Sequence, residues 1–225
     1  MTSFEDCLAS TVSGLSRVAP SLPLAALRRA YEVALILLFL IALVQSWRAR
    51  GAAHAGRELL FGFAVSQTVE LMAVAMGRYR YPDWLLYFPP RPAWVPLAIG
   101  LGWASLLPAV MASSEKLVGR RRRRWQLALV DGALAVALDL VLDPMVSGPP
   151  LQMWIWRGDG MTPYRFWILG VPLFNFVGWF VLVGACSFEL RVVAARGATR
   201  AWSRLALFFV ADLAIAGTLM ALPWW

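Results

Sequence analysis

The sequence predicts an all-α, polytopic integral membrane protein, a helical bundle of about six transmembrane helices. Two observations predict it. The 225-residue chain is 60% hydrophobic with a mean hydropathy of +0.64, too apolar for a soluble domain. Its apolar residues also gather into stretches close to the ~20 residues that a helix needs to cross a bilayer.

Taken in order, residues 1–28 read as an amphipathic segment outside the membrane. Glu5 and Asp6 come first, no continuous apolar run follows, and Pro20 and Pro23 interrupt what there is. A cleavable signal has the opposite pattern. Residues 29–225 read as one transmembrane domain, with spans expected at 29–47, 57–76, 93–113, 125–142, 166–188 and 201–222.

The formal net charge is +8. The basic residues lie in the loops, including the arginine run from Arg120 to Arg124, so they read as a topology signal and a contact for anionic lipid. Nucleic acid is not an expected partner. Arg48, Arg50 and Arg57, then Lys116 with the arginine run, then Arg191, Arg196, Arg200 and Arg204 place the loops after spans 1, 3 and 5 in the cytoplasm. Both termini are then outside, and a bacterial inner (plasma) membrane is the expected location.

Several chemistries lack the residues they need. His54 is the single histidine, whereas membrane di-iron oxygenases need clusters of histidine ligands. Cys7 and Cys186 are far apart in sequence and read as neither a redox pair nor a metal set; Cys186 reads as a small packing residue. Gly100-Leu-Gly102 sits inside a span with no strand before it, so no dinucleotide fingerprint is present. The expected cofactor requirement is none, and no metal ligand set is expected.

The chain also resembles itself. Val95-Pro-Leu-Ala-Ile-Gly-Leu-Gly-Trp103 matches Val171-Pro-Leu-Phe-Asn-Phe-Val-Gly-Trp179 at Val, Pro, Leu, Gly and Trp. Each copy follows an acid-bearing helix (Glu70; Asp139 and Asp143) and a loop rich in Trp, Tyr and Arg. The proline is expected in the first helical turn, where its missing N–H costs nothing, and the glycine is expected to permit close helix packing. Two repeat-like halves, about 57–113 and 125–188, would be parallel and related by an axis along the membrane normal.

Carboxylates in such helices are costly and usually functional. Asp139 and Asp143 are one turn apart on one face, and Asp131 lies about 80° away from Asp139. Ser66, Gln67 and Glu70 are neighbours on span 2. With Asn175, these acids occupy the half of the membrane nearest the aromatic loops, so two acid-bearing helices are placed to face one another across a cavity. Each residue also has a structural reading. Glu70 pairs with Arg78 or Arg80; Asp143 before Pro144 ends span 4; Asn175 links helices. Asp212 pairs with an arginine or a hydroxyl, Glu189 and Arg191 form a surface pair, and Trp84, Trp94, Trp154 and Trp156 form an interfacial belt.

These same residues carry a family resemblance. Asp143-Pro-Met, Met153-Trp-Ile-Trp156 and Gly170-Val-Pro-Leu-Phe-Asn-Phe-Val-Gly-Trp-Phe180 resemble the signature of the membrane carotenoid biosynthesis proteins of the carotenoid 1,2-hydratase (CruF) type. Glu70, Gly77-Arg-Tyr-Arg-Tyr81 and Val95-Pro-Leu97 are similar to that family's earlier block. Phe174 and the stretch from Arg165 to Leu169 depart from the pattern. The resemblance implies a cofactor-independent hydratase, a lyase, that adds water across the terminal C1=C2 bond of an acyclic carotenoid and gives a tertiary alcohol.

That chemistry suits the residue inventory. Protonating the alkene at C2 leaves a tertiary cation at C1, which requires a strong acid, a base for water and no redox cofactor. Apolar surroundings keep a carboxylic acid protonated, and a second carboxyl nearby separates acid from base. Asp143 is the expected acid and Asp139 or Glu70 the expected water-handling partner. Asn175 is expected to orient water or carboxyl, and Tyr79, Tyr81, Trp156 and Tyr164 to wall the end group, their rings favouring the cation. The expected partners are membrane lipid, the hydrophobic carotenoid and other enzymes of its pathway. Two alternatives stay open: a lycopene-cyclase-like isomerase driven by the same protonation, and a non-enzymatic carrier or scaffold.

Overall fold

The computed structural model describes residues 24–82, 84–88, 95–149, 151–156, 166–196 and 200–222. Among them the chain forms six helices, α1 (Leu24–Arg50), α2 (Ala52–Ala75), α3 (Leu97–Val118), α4 (Arg124–Ser147), α5 (Leu173–Ala195) and α6 (Ala201–Ala221). Six two-residue strands lie between them: β1 (Tyr79–Arg80), β2 (Tyr87–Phe88), β3 (Val95–Pro96), β4 (Ile155–Trp156), β5 (Trp167–Ile168) and β6 (Val171–Pro172). The protein is therefore an all-α bundle. Five helices, α2 to α6, are long and apolar enough to cross a membrane. The expected first span falls within α1, a 27-residue helix that already runs at Leu24 and buries only Glu32 and Ser46. Most of the N-terminal segment, residues 1–23, lies outside the described residues.

The helices associate as membrane helices must, through small residues and close contacts. α2 meets α3 where Gly62 faces Ala104, and α4 meets α5 where Gly132 faces the Phe180 carbonyl. Gly102 packs on Leu35 of α1, whereas Gly178, expected to serve close packing too, faces open space. One apolar core gathers Phe61, Val65, Leu107, Met111, Leu182, Val183 and Leu205, and a smaller one under the loops gathers Trp84, Ile99, Val146 and Met153. Leu37, Ile41, Leu207 and Val210 are exposed on the outer surface, as residues facing hydrocarbon would be.

The two sequence copies take the same local form. In each, a strand pair (β2 with β3, β5 with β6) delivers the chain to a helix whose N-cap is the repeated proline. Pro96 has φ −61° and ψ 132°, and Pro172 has φ −62° and ψ 136°. The first helical N–H donates back across each hairpin at 2.9 Å, Leu97 to Leu86 and Leu173 to Phe166. β1 and β4, which follow α2 and α4, pair antiparallel with each other. Trp103 and Trp179, the last residues of the two motifs, stack at a centroid distance of 3.6 Å.

Three expectations need correction. The fifth span does not start at residue 166. Leu169 and Gly170 have positive φ values of 52° and 80°, which make a tight hairpin turn and delay the helix to Leu173. Pro144 does not end span 4, because α4 continues to Ser147 and Ser147 Oγ donates to the Asp143 carbonyl at 2.7 Å. Glu189 and Arg191 are not a surface pair: both are buried, and residues two apart on a helix point in different directions. Arg191 instead pairs with Asp131 and donates to Ser114 Oγ at 3.1 Å, tying α3, α4 and α5 together.

Candidate active site

The arrangement begins on α4. Asp139 and Asp143, one turn apart, are both buried, and Asn175 from the first turn of α5 reaches both. Its Nδ2 group donates to Asp139 Oδ2 at 2.7 Å and to Asp143 Oδ2 at 2.6 Å. One amide thus uses its two hydrogens on two carboxyl groups. The repeated proline fixes where α5 starts, and so places Asn175 opposite the last turns of α4.

The other oxygen of Asp143 accepts from Trp154 Nε1 at 2.8 Å. Trp154 arrives because β4 pairs with β1, which sets the loop after α4 against the loop after α2. β1 also arranges the second acid. Side chains two apart in a strand share a side, so Tyr79 and Tyr81 both turn inward while Arg80 is exposed. Both phenols donate to Glu70 Oε2, Tyr81 at 2.6 Å. Burial, followed by the adjacent Glu70 carboxyl, pushes both phenols well above their ordinary range, so both remain donors at physiological pH. Arg78, one expected partner of Glu70, instead donates to the Met220 carbonyl near the end of α6.

Glu70, Tyr79, Tyr81, Asp139, Asp143, Trp154 and Asn175 line one cavity of about 570 Å³, together with Trp103, Trp156 and Trp179. Its wall is largely hydrocarbon. Along α1 it extends from Tyr31 to Arg50, about 28 Å at the helical rise, close to the ~30 Å hydrocarbon thickness of a bilayer. Tyr31 and the acids lie at one end, while Ser46, Arg50 and Ala112 mark the other. The far end is tied by Glu58, which accepts from Ser46 Oγ at 2.6 Å and from Arg50 Nη1 at 2.9 Å. Near the acids the wall is aromatic: Tyr79 meets Trp156 edge-on at 4.9 Å and Tyr81 at 5.6 Å, and Phe174 meets Trp156 edge-on at 5.9 Å.

The structure therefore brings seven expected site residues to one place: Glu70, Tyr79, Tyr81, Asp139, Asp143, Trp156 and Asn175. Tyr164 lies outside the described residues. Trp154, which by sequence fits an interfacial belt as well as a substrate wall, lines the cavity and donates to Asp143. Tyr31 and the Trp103–Trp179 stack were not singled out as site residues; the repeat carried the only signal for the tryptophans.

No curated protein and no solved structure matches this chain. A family model described as carotenoid biosynthesis protein matches residues 31–222, a region that contains every described site residue. The chain belongs to the carotenoid biosynthesis protein family.

Proposed function

We propose that the protein is a carotenoid 1,2-hydratase, which adds water to the terminal C1=C2 bond of an acyclic carotenoid end. The observation that carries this reading is the clustering of three buried carboxyl groups with an amide and two phenols at one end of a long apolar groove. A linear hydrocarbon lying in the groove presents its terminus to the acids.

In this reading Asp143 transfers a proton to C2, and the cation forms at C1. The rings of Tyr79, Tyr81 and Trp156 favour that cation through their quadrupoles. A water oxygen bonds to C1 and loses a proton to Asp139 or Glu70, so the net change is the addition of one water. Two carboxyl groups held by one amide are more stable sharing a proton than both ionised, which supports an acid and a base within one pair. Asn175 positions the carboxyls.

The test is expression in a lycopene-accumulating bacterium with mass analysis of the extracted pigments. The expected product is heavier by one water. A product of unchanged mass with a new ring would replace this reading by cyclisation, and unchanged pigment would remove it. Asp143→Asn is expected to lower hydration by about 10²–10⁴-fold while membrane insertion persists; full activity in that variant removes Asp143 as the acid.

A further inference from the structure

A second buried cluster lies away from these acids, between α5 and α6. Cys186 and Glu189 are neighbours on one face of α5, and Asp212 approaches them from the middle of α6. Glu189 is 6% exposed and Asp212 0%. Cys186 Sγ donates to Asp212 Oδ2 at 3.4 Å, and the Glu189 and Asp212 carboxyls face each other closely enough to share a proton, but Glu189 Oε2 and Asp212 Oδ1 have no nitrogen, hydroxyl or thiol donor among the described residues. Neither carboxyl joins a salt bridge among those residues. Two facing buried carboxyls cannot both ionise without a positive charge between them.

We infer that Cys186, Glu189 and Asp212 bind one divalent transition-metal ion, zinc by their ligand chemistry. One ligand atom from each residue lies within 4.8 Å of the others. A small closure brings them to a shared centre with bonds of ~2.0–2.3 Å. A thiolate selects zinc over magnesium or calcium, which prefer all-oxygen sites. Three protein ligands leave a fourth position. Water supplies the remaining ligand. The metal supplies the missing positive charge and holds α6 onto the bundle. Sequence spacing alone does not bring these three together, since Glu189 lies on the next turn of α5 and Asp212 on another helix.

The test uses the full chain purified in detergent, loaded with Zn²⁺, separated from free metal and analysed for metal content, with Co²⁺ as a spectroscopic probe. A single zinc per chain is expected, together with a thiolate-to-cobalt charge-transfer band and a higher melting temperature with metal than without. Cys186→Ser and Asp212→Asn are each expected to abolish the band or weaken binding by at least about tenfold, with helical circular dichroism retained. Glu189→Gln serves as a third variant should either fail to fold, and His54→Ala is expected to bind like the parent. No retained zinc in the parent overturns the proposal, as does zinc that survives these substitutions or is lost with His54. The readouts do not depend on hydratase activity.

Discussion

Two phenols converge on a single oxygen of Glu70, and this pair separates positioning from packing. Tyr79→Phe or Tyr81→Phe keeps the ring, and with it the edge-on contacts to Trp156 and Trp154. Each change removes one donor to a carboxyl, an interaction of about 1.5–3 kcal/mol when the acceptor is charged. If Glu70 handles water, either variant loses about tenfold or more in turnover at nearly unchanged melting temperature. Because burial raises both phenols above the ordinary range near ~10, neither ionises at physiological pH. The activity–pH profile should keep its shape in both variants while its height falls. A profile whose alkaline limb vanishes in Tyr79→Phe would mean that the phenol itself titrates during turnover. The cluster itself was readable in sequence as far as residue type and helix face go. The face shared by Asp139 and Asp143 follows from spacing alone. The donors could not be assigned that way: Trp154 reaches Asp143 only through the β1–β4 pairing, a contact between segments remote in sequence.

Among the helices, what was legible follows hydrophobic run length, and what was not follows local backbone geometry or long-range pairing. Run length located the cores of α2 to α6. It could not show that residues 166–172 form a hairpin, since an apolar strand and an apolar helix start look alike. Nor could it show that α4 passes through Pro144, which depends on packing around a buried Asp143. The helix contacts themselves can be tested at two glycines. A Cβ on Gly132 would lie 2.5 Å from the Phe180 carbonyl oxygen, while one on Gly56 meets nothing within 4 Å. Gly132→Ala must therefore force α4 and α5 apart, at a cost of about 1–3 kcal/mol. Gly56→Ala should stabilise by about 0.5–1 kcal/mol, because alanine loses less backbone freedom than glycine in a helix. Melting curves in detergent should move in opposite directions. Equal shifts would remove the close α4–α5 approach as a structural requirement.

For the molecule as a whole, strands β1 and β4, which follow α2 and α4, pair antiparallel, and Trp103 and Trp179 of the two matching motifs stack. The residues around the cavity are not duplicated between the two motifs. Asn175 falls where the first module has Ile99, within otherwise matching Val-Pro-Leu motifs, so one module supplies the amide and paired aspartates and the other supplies Glu70 with its phenols. α1 lies outside the repeat and closes one long side of the groove over α3. The groove should thus act as a ruler for chain length, with the acids at one end and Ala112 near the other. Ala109→Trp would fill the groove part-way along without touching an acid, amide or phenol of the site. On the hydratase reading, this variant should lose most turnover on a full-length acyclic carotenoid, because the terminus can no longer reach Asp143. It should retain turnover on an acyclic isoprenoid about half as long, which needs only the end near the acids. Comparing the two substrates in membranes, with product measured by mass, distinguishes this from general damage. Equal loss on both would mean misfolding, and unchanged activity on the long substrate would mean that the hydrocarbon lies elsewhere.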